Sequence, residues 1–147
     1  MNTRLLIVAA MLMNGAALAA DPAPVATQAT AAPAPLITQP QLLARLEQND
    51  IVVVDVRSPA EFAAGHVPGA RNIPHDQLAA RIAELADVRD KDVALYCRSG
   101  RRTLLAEETL RGAGFTKLLH LQGDYLAWEA EQRPVEKLPA PESAPAR

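Results

Sequence analysis

Apolar runs alternate along the chain with segments whose apolar residues recur at helical spacing. "IVVVDV" (51–56) and "DVALY" (92–96) are almost continuously apolar, which is typical of strands that are buried on both faces of a parallel sheet. "KLLHL" (117–121) predicts a third strand of the same kind. Because parallel strands need a crossover connection between them, this alternation predicts an α/β fold: a small parallel sheet covered by helices on both faces.

Helix-start signals mark two of the connections. In "ITQPQLLARLEQN" (37–49), Thr38 is placed to cap a helix and Gln41 to complete a capping box. In "SPAEF", Ser58 precedes a proline and stands three residues before Glu61, which predicts a second, short helix. The two helices are therefore expected to begin directly after Thr38 and Ser58.

Three further helices are predicted from spacing and from glycine stops. The segment "DQLAARIAELA" (76–86) has Leu78, Ile82 and Leu85 at the i, i+4 and i+7 positions of an amphipathic helix. "RTLLAEETLRGAG" has the pattern of a helix that ends in glycines. A last short helix is expected over 124–128.

The two ends of the chain differ in composition from its middle. Residues 1–19 combine Arg4, an apolar run and an A-x-A end, which predicts a secretory signal peptide. Residues 20–35 are rich in Ala, Pro and Thr and predict a flexible linker, while 138–147 predict a disordered tail of similar composition. The globular domain is therefore expected over 36–137.

The distribution of charge restricts the class of ligand. The formal net charge is −2 over 147 residues, and cleavage of the signal peptide, which holds Arg4 and no acidic residue, makes it −3. A nucleic-acid-binding domain would present a basic face, whereas here the positive charge is concentrated in one loop, 98–102. We therefore expect small anions rather than nucleic acid as ligands, no membrane association after cleavage, and a periplasmic or secreted location.

Cys97 is the only cysteine of the chain and so cannot form an internal disulfide. It ends a predicted strand, precedes Gly100 and a predicted helix, and has Arg98, Arg101 and Arg102 beside it. Inward-facing amides, the helix N-terminus and these charges favour the thiolate over the thiol, which would make the side chain a solvent-exposed nucleophile. A buried core thiol is the structural alternative.

Two motifs in this order resemble the signatures of the rhodanese family, whose members are thiosulfate sulfurtransferases. "CRSGRR", after a strand that ends in tyrosine, is similar to the family's active-site loop, and "VVDVRSPAEFAAGHVPGARNIP" is similar to its first signature. "LQGDYLAW" resembles the closing segment. The two signatures span nearly all of 51–115, and the resemblance is to the exported, single-domain, phage-shock-like type.

The resemblance implies a reaction and roles for individual residues. Cys97 would take up sulfane sulfur from a small anionic donor such as thiosulfate, forming a persulfide, and pass it to an unknown thiol or protein acceptor. No metal and no organic cofactor are expected in this chemistry. Asp55 and Arg57 match a pair that braces the neighbouring strand end. The residues implied to bind the donor are those of the loop: Arg98, Ser99, Gly100, Arg101, Arg102 and Thr103.

The sequence departs from the family's pattern at two positions. Asp124 stands where many members have a second glycine, and Glu107 replaces a helix residue that is commonly small. Because Asp124 follows Gly123 directly, the departures bear on how closely the backbone approaches the donor there.

Two other functions remain open on the sequence. A non-catalytic sulfur carrier or binding module would use the same cysteine to hold sulfur for a docked partner. Cysteine phosphatases and arsenate reductases of the same fold, by resemblance, place an arginine six positions after the cysteine, where this chain has Thr103. The histidines, at 66, 75 and 120, match no compact metal-ligand spacing, so no metal site is expected.

Overall fold

The computed structural model describes residues 32–139. The predicted signal peptide (1–19), most of the predicted linker (20–31) and all but the first two residues of the predicted tail (140–147) lie outside the described residues. Between residues 32 and 139, no helix is long and apolar enough to cross a membrane.

Within residues 32–139, five parallel strands form one sheet in the order β1-β5-β4-β2-β3. The three predicted strands are confirmed, and the pairing adds two strands of two residues each at the sheet edges. Two residues are too short a segment to show the alternation of side chains that identifies a strand. The bounds are β1 Leu36–Ile37, β2 Val52–Asp55, β3 Arg71–Asn72, β4 Val93–Tyr96 and β5 Leu118–Leu121.

In the part of the chain that the structure describes, four α-helices connect or follow the strands, and two begin at the predicted capping boxes. Thr38 and Gln41 form the box of α1, and Ser58 and Glu61 form that of α2, each with both reciprocal hydrogen bonds. The four helices are α1 Gln39–Glu47, α2 Pro59–Ala64, α3 Arg101–Gly112 and α4 Asp124–Ala130.

The predicted amphipathic α-helix at 76–86 is wrong: the chain makes turns and then a 3-10 helix over Ile82–Val88. Leu85 and Val88 are buried and stand three residues apart, in phase with the threefold period of a 3-10 helix. The helical spacing of Leu78 and Leu85 correctly predicted that both side chains are buried. This spacing did not distinguish an α-helix from a 3-10 helix. No side chain caps the 3-10 helix at its start.

Helices cover both faces of the sheet, as predicted, and β4 shows why. Val93 and Leu95 join a core cluster with residues of α3 and the 3-10 helix. Ala94 and Tyr96, which alternate with them, join a second cluster with residues of α1 and α4. Because successive side chains of a strand point to opposite faces, a continuously apolar strand requires a cover on each side.

The packed domain begins two residues before the predicted start. Ala34 is buried, and its N–H donates to the carboxylate of Glu107 at 2.7 Å. The Pro35 carbonyl accepts a hydrogen bond from the N–H of His120 in β5. The end of the segment predicted as a linker is therefore held by one main-chain hydrogen bond to β5 and one hydrogen bond to the side chain of Glu107 in α3.

Candidate active site

The loop that carries Cys97 lies at the carboxyl ends of three adjacent strands, β5, β4 and β2. It leaves β4 at Tyr96, turns at Gly100 and continues into the first turn of α3, through Thr103. Gly100 has φ +100°, a left-handed conformation that side chains resist, and a Cβ there would lie 3.0 Å from Oδ2 of Asp124. A glycine at this position therefore lets the loop turn tightly against the residues beneath it.

The thiol of Cys97 accepts a hydrogen bond from the N–H of Gly100, with 3.0 Å between nitrogen and Sγ. The expectation of a solvent-exposed nucleophile is wrong for this conformation, because Cys97 is only 1% exposed. Its side chain follows the alternation of β4 and points to the same core cluster as Val93 and Leu95. The sulfur is thus both a core side chain and the acceptor of a loop amide.

The other loop residues divide into two groups. Arg98, Ser99 and Arg101 are exposed to solvent. Thr103 is fully buried, and its hydroxyl donates to Asp124 at 3.0 Å, so its side chain faces the protein interior. The loop therefore presents two guanidinium groups outward and anchors itself through its last turn.

Arg102 is the loop arginine whose side chain has a fixed partner. Its guanidinium forms two hydrogen bonds with the carboxylate of Glu61, at 2.8 and 2.9 Å. The same carboxylate accepts bonds from the N–H and the hydroxyl of Ser58. The hydrogen bond from Arg102, foremost, lowers the pKa of Glu61 to about 2. The sequence identified Glu61 only as a helix cap and missed that it also holds the loop arginine.

A small cleft of about 150 Å³ opens beside Arg102, between the start of α2 and the segment 74–77. A larger cavity of about 370 Å³ lies at the amino ends of the strands, among Asp50, Lys91 and their neighbours. The larger cavity is lined by no cysteine, serine or histidine. In open parallel sheets ligands bind beyond the carboxyl ends of the strands, which favours the cleft beside the loop.

Asp55 and Arg57 form a buried ion pair, with 2.6 Å between the closest nitrogen and oxygen. The carboxylate of Asp55 also accepts a bond from the hydroxyl of Tyr96 at 2.7 Å. Arg57 donates to the carbonyl of Gly65 and lies 3.8 Å from the ring centroid of Tyr125. Burial, foremost, together with Asp55 raises the pKa of Tyr96, so its hydroxyl stays protonated as a donor. These contacts join the ends of β2 and β4 and leave Asp55 enclosed.

Asp124 lies directly beneath the cysteine loop. Its carboxylate accepts the N–H of Cys97 at 2.8 Å and approaches Nε2 of His120 at 3.0 Å. The other ring nitrogen of His120 lies 2.9 Å from the carboxylate of Glu107. Glu107 and Asp124, the two residues that depart from the family pattern, therefore both contact His120. Sequence reasoning missed this contact because the three residues belong to three different elements.

The remaining histidines have separate surroundings. His66 stacks on Phe62, with 3.6 Å between ring centroids, and its Nδ1 lies 2.8 Å from the Phe62 carbonyl. Its backbone pairs with Glu136. His75 lines the cleft beside the loop. His66 thus connects the end of α2 to the segment that follows α4.

The comparison with protein families gives one match. The model described as Rhodanese-like domain matches residues 38–131, which include the loop and both halves of the ion pair beside it.

Curated relatives have different roles. A sulfurtransferase of Allochromatium vinosum is 36% identical over 89 residues, covering 60% of this chain and 81% of that protein. The human thiosulfate:glutathione sulfurtransferase is 32% identical over 107 residues, covering 65% of this chain and 93% of that protein. An HTH-type transcriptional regulator of Mycobacterium tuberculosis is 38% identical over 120 residues, covering 80% of this chain; the chain spans only 52% of that protein.

Solved structures share the same fold. A rhodanese-related protein from Thermoplasma volcanium superposes with a TM-score of 0.61 at 29% sequence identity. The superposition covers 69% of this chain and 97% of that one. The likeness therefore extends over the domain that carries the loop.

Replacing Glu61 with Gln tests the ion pair that holds Arg102. Glutamine can still complete the capping box, so the substitution removes mainly the charge. Because the pKa of Glu61 falls from 4.5 to about 2 in the folded protein, its stabilisation is present above pH 4.5 and is lost as the pH falls toward 2. We expect E61Q to lower the free energy of unfolding by about 1 kcal/mol at pH 7 and not at pH 2, measured by urea denaturation.

The control for this measurement is Glu84→Gln, which removes an exposed carboxylate paired with Arg81. Exposed pairs contribute little, so E84Q should leave the unfolding curve nearly unchanged. A loss in E61Q that stayed the same from pH 7 to pH 2 would contradict a role for the charge of Glu61.

Proposed function

Because the chain belongs to the rhodanese-like family, we propose that it is a sulfurtransferase in which Cys97 carries sulfane sulfur. The donor is thiosulfate or a related small anion, and the acceptor is a thiol or a protein. One observation carries the proposal: the sulfur of Cys97 lies at the start of α3 and accepts the N–H of Gly100. A sulfur atom in this position is stabilised as an anion.

The reaction proceeds in two displacements. The thiolate of Cys97 attacks the outer sulfur of thiosulfate; a new S–S bond forms, the S–S bond of the donor breaks, and its electron pair leaves with sulfite. An acceptor nucleophile then attacks the outer sulfur of the persulfide, and the Cys97 thiolate departs. The enzyme alternates between two covalent states, which is ping-pong chemistry, and neither step requires another oxidant or reductant.

The charges around the loop fit a dianionic donor. Arg98 and Arg101 are exposed and attract the donor from solution. Arg102 stays beside the loop because Glu61 holds it. The first N–H groups of α3 have no acceptor within their own helix, so they can stabilise the terminal sulfur of the persulfide. Because Cys97 is only 1% exposed, the attack requires a local movement that opens the sulfur to the donor.

A second candidate is a non-catalytic sulfur carrier or binding module. The observation in its favour is that Cys97 is only 1% exposed, which restricts access of small acceptors to the sulfur. The regulator among the relatives is also 38% identical over 120 residues, and its name states no transferase activity. A phosphatase or arsenate reductase is disfavoured because Thr103, six positions after the cysteine, is buried and bonded to Asp124.

Cys97→Ser tests the nucleophile. We expect the wild-type protein to gain the mass of one sulfur atom on the Cys97 peptide after thiosulfate, and C97S to gain none and to lose thiosulfate-to-cyanide transfer. Removal of a nucleophile that acts covalently costs several orders of magnitude in rate. A persulfide that forms but is not released to cyanide or small thiols supports the carrier, and hydrolysis of an aryl phosphate supports the phosphatase.

Arg101→Gln tests the attraction of the donor. Loss of one exposed charge near a dianion weakens binding by about 1 kcal/mol in water, so the KM for thiosulfate should rise about fivefold while kcat changes little. The increase should shrink as ionic strength rises, because salt screens exposed charges. Lys91→Gln is the matched control, since Lys91 is exposed at the amino end of β4, at the opposite end of that strand from the loop. An equal change of KM in both variants would contradict the assignment.

The exported, phage-shock-like type remains part of this proposal. Residues 1–19 support it through their basic start, apolar run and A-x-A end. We expect the full-length chain, expressed in a bacterium, to appear in the periplasmic fraction with Ala20 as its first residue, as determined by intact mass. A protein of full mass that stays in the cytoplasm would contradict export.

A further inference from the structure

A chain of alternating charges runs beneath the cysteine loop. Arg111 donates to the carboxylate of Glu107, Glu107 contacts Nδ1 of His120, and Nε2 of His120 contacts Asp124. The carboxylates of Glu107 and Asp124 are nearly inaccessible, with side chains 1% and 6% exposed. Buried carboxylates are rarely found without such partners, because an isolated buried charge is costly.

The geometry fixes the charge on His120. Each of its ring nitrogens lies within 3.0 Å of a carboxylate oxygen, and an ionised carboxylate only accepts hydrogen bonds. With both carboxylates ionised, both ring nitrogens donate, and the ring is then an imidazolium. The hydrogen bond to Asp124, foremost, accordingly raises the pKa of His120 above its ordinary value. Burial opposes ionisation of Asp124, yet its hydrogen bonds to His120 and the Cys97 amide keep its pKa lowered.

The charged chain ends on the cysteine loop at three points. Asp124 accepts the N–H of Cys97 and the hydroxyl of Thr103. Gly100 lies so close that a Cβ there would be 3.0 Å from Oδ2 of Asp124 and 3.6 Å from Nε2 of His120. The first, middle and last parts of the loop therefore rest on the same two side chains.

We propose that Asp124 and His120 are positioning residues for the sulfur loop: Asp124 fixes the loop backbone, and the imidazolium of His120 cancels its charge next to the reacting sulfur. This inference rests on the proposed function, in which Cys97 reacts as an anion. A lone carboxylate beneath the loop would repel the Cys97 thiolate, the persulfide and the dianionic donor. On the other side of the His120 ring, the charge of Arg111 offsets that of Glu107.

The charge balance is tested by His120→Gln and by the double variant His120→Gln/Asp124→Asn. Glutamine removes the positive charge, so we expect iodoacetamide to alkylate Cys97 about tenfold more slowly at pH 7. The double variant also removes the charge of Asp124 and should recover most of the lost rate. His66→Gln, at a buried histidine outside the site, is the control and should react like the wild type.

The backbone role is tested separately at Asp124. Asparagine keeps an oxygen that can accept the N–H of Cys97, whereas glycine removes it and still accepts the positive φ of 50° at this position. We expect D124N to be alkylated at least as fast as the wild type, and D124G to lose about tenfold in kcat for sulfur transfer. A D124N variant that loses as much kcat for sulfur transfer as D124G would overturn the proposal.

The pH dependence gives a further readout. The imidazolium is present below the raised pKa of His120 and is lost as the pH rises through it, so single-turnover persulfide formation in the wild type should decline on the alkaline side. The double variant, which has no group titrating at this position, should lack that decline. The charged groups facing His120 are Glu107 from α3, which also contacts Arg111, and Asp124 from α4, whose lowered pKa keeps it ionised over this range.

The outcomes separate this inference from the proposed function. Alkylation requires no sulfurtransferase activity, so a wild-type protein that forms no persulfide would refute the function and leave the charge test intact. Equal alkylation of wild type and H120Q, or no recovery in the double variant, would overturn the inference alone. Urea denaturation and near-ultraviolet circular dichroism check that each variant folds; if H120Q does not, the contrast between D124N and D124G decides.

Discussion

The parallel pairing of β2, β4 and β5 is the constraint from which the arrangement of the site follows. The register places Asp55 beside Tyr96, so the residue that follows each strand emerges at the same edge of the sheet. The hydroxyl of Tyr96 and the guanidinium of Arg57 then join on one carboxylate. Cys97 starts its loop from the central strand of the sheet, because β4 pairs with β2 over four residues and with β5 over three.

Local signals in the sequence predicted the fold and the loop that follows β4, and long-range contacts were beyond them. Capping residues such as Thr38 and Ser58 act within one turn of their helix, so their hydrogen bonds follow from spacing alone. The 3-10 helix was missed because a buried Leu85 is consistent both with an α-helix and with a 3-10 helix. The pairing of Glu61 with Arg102 joins residues 41 positions apart, which no periodicity reports.

The predicted exposure of Cys97 failed for a different physical reason. Sequence reasoning treated the loop as a source of charge and amides around a sulfur open to solvent. In the structure the side chain follows the alternation of β4 into the core, and the loop closes over it through Gly100. The motif thus predicted loop amides beside the sulfur, of which the Gly100 N–H is in contact, and did not predict that the sulfur is buried.

The closed loop over Cys97 also has a consequence for survival in an oxidising environment. A thiol that is 1% exposed and has no second cysteine in the chain is shielded from bulky disulfides, since a mixed disulfide needs direct approach of the second sulfur along the S–S axis. Compact inorganic ions meet a smaller steric barrier. In this conformation the burial of the sulfur therefore selects reagents by molecular size, in addition to any selection by charge.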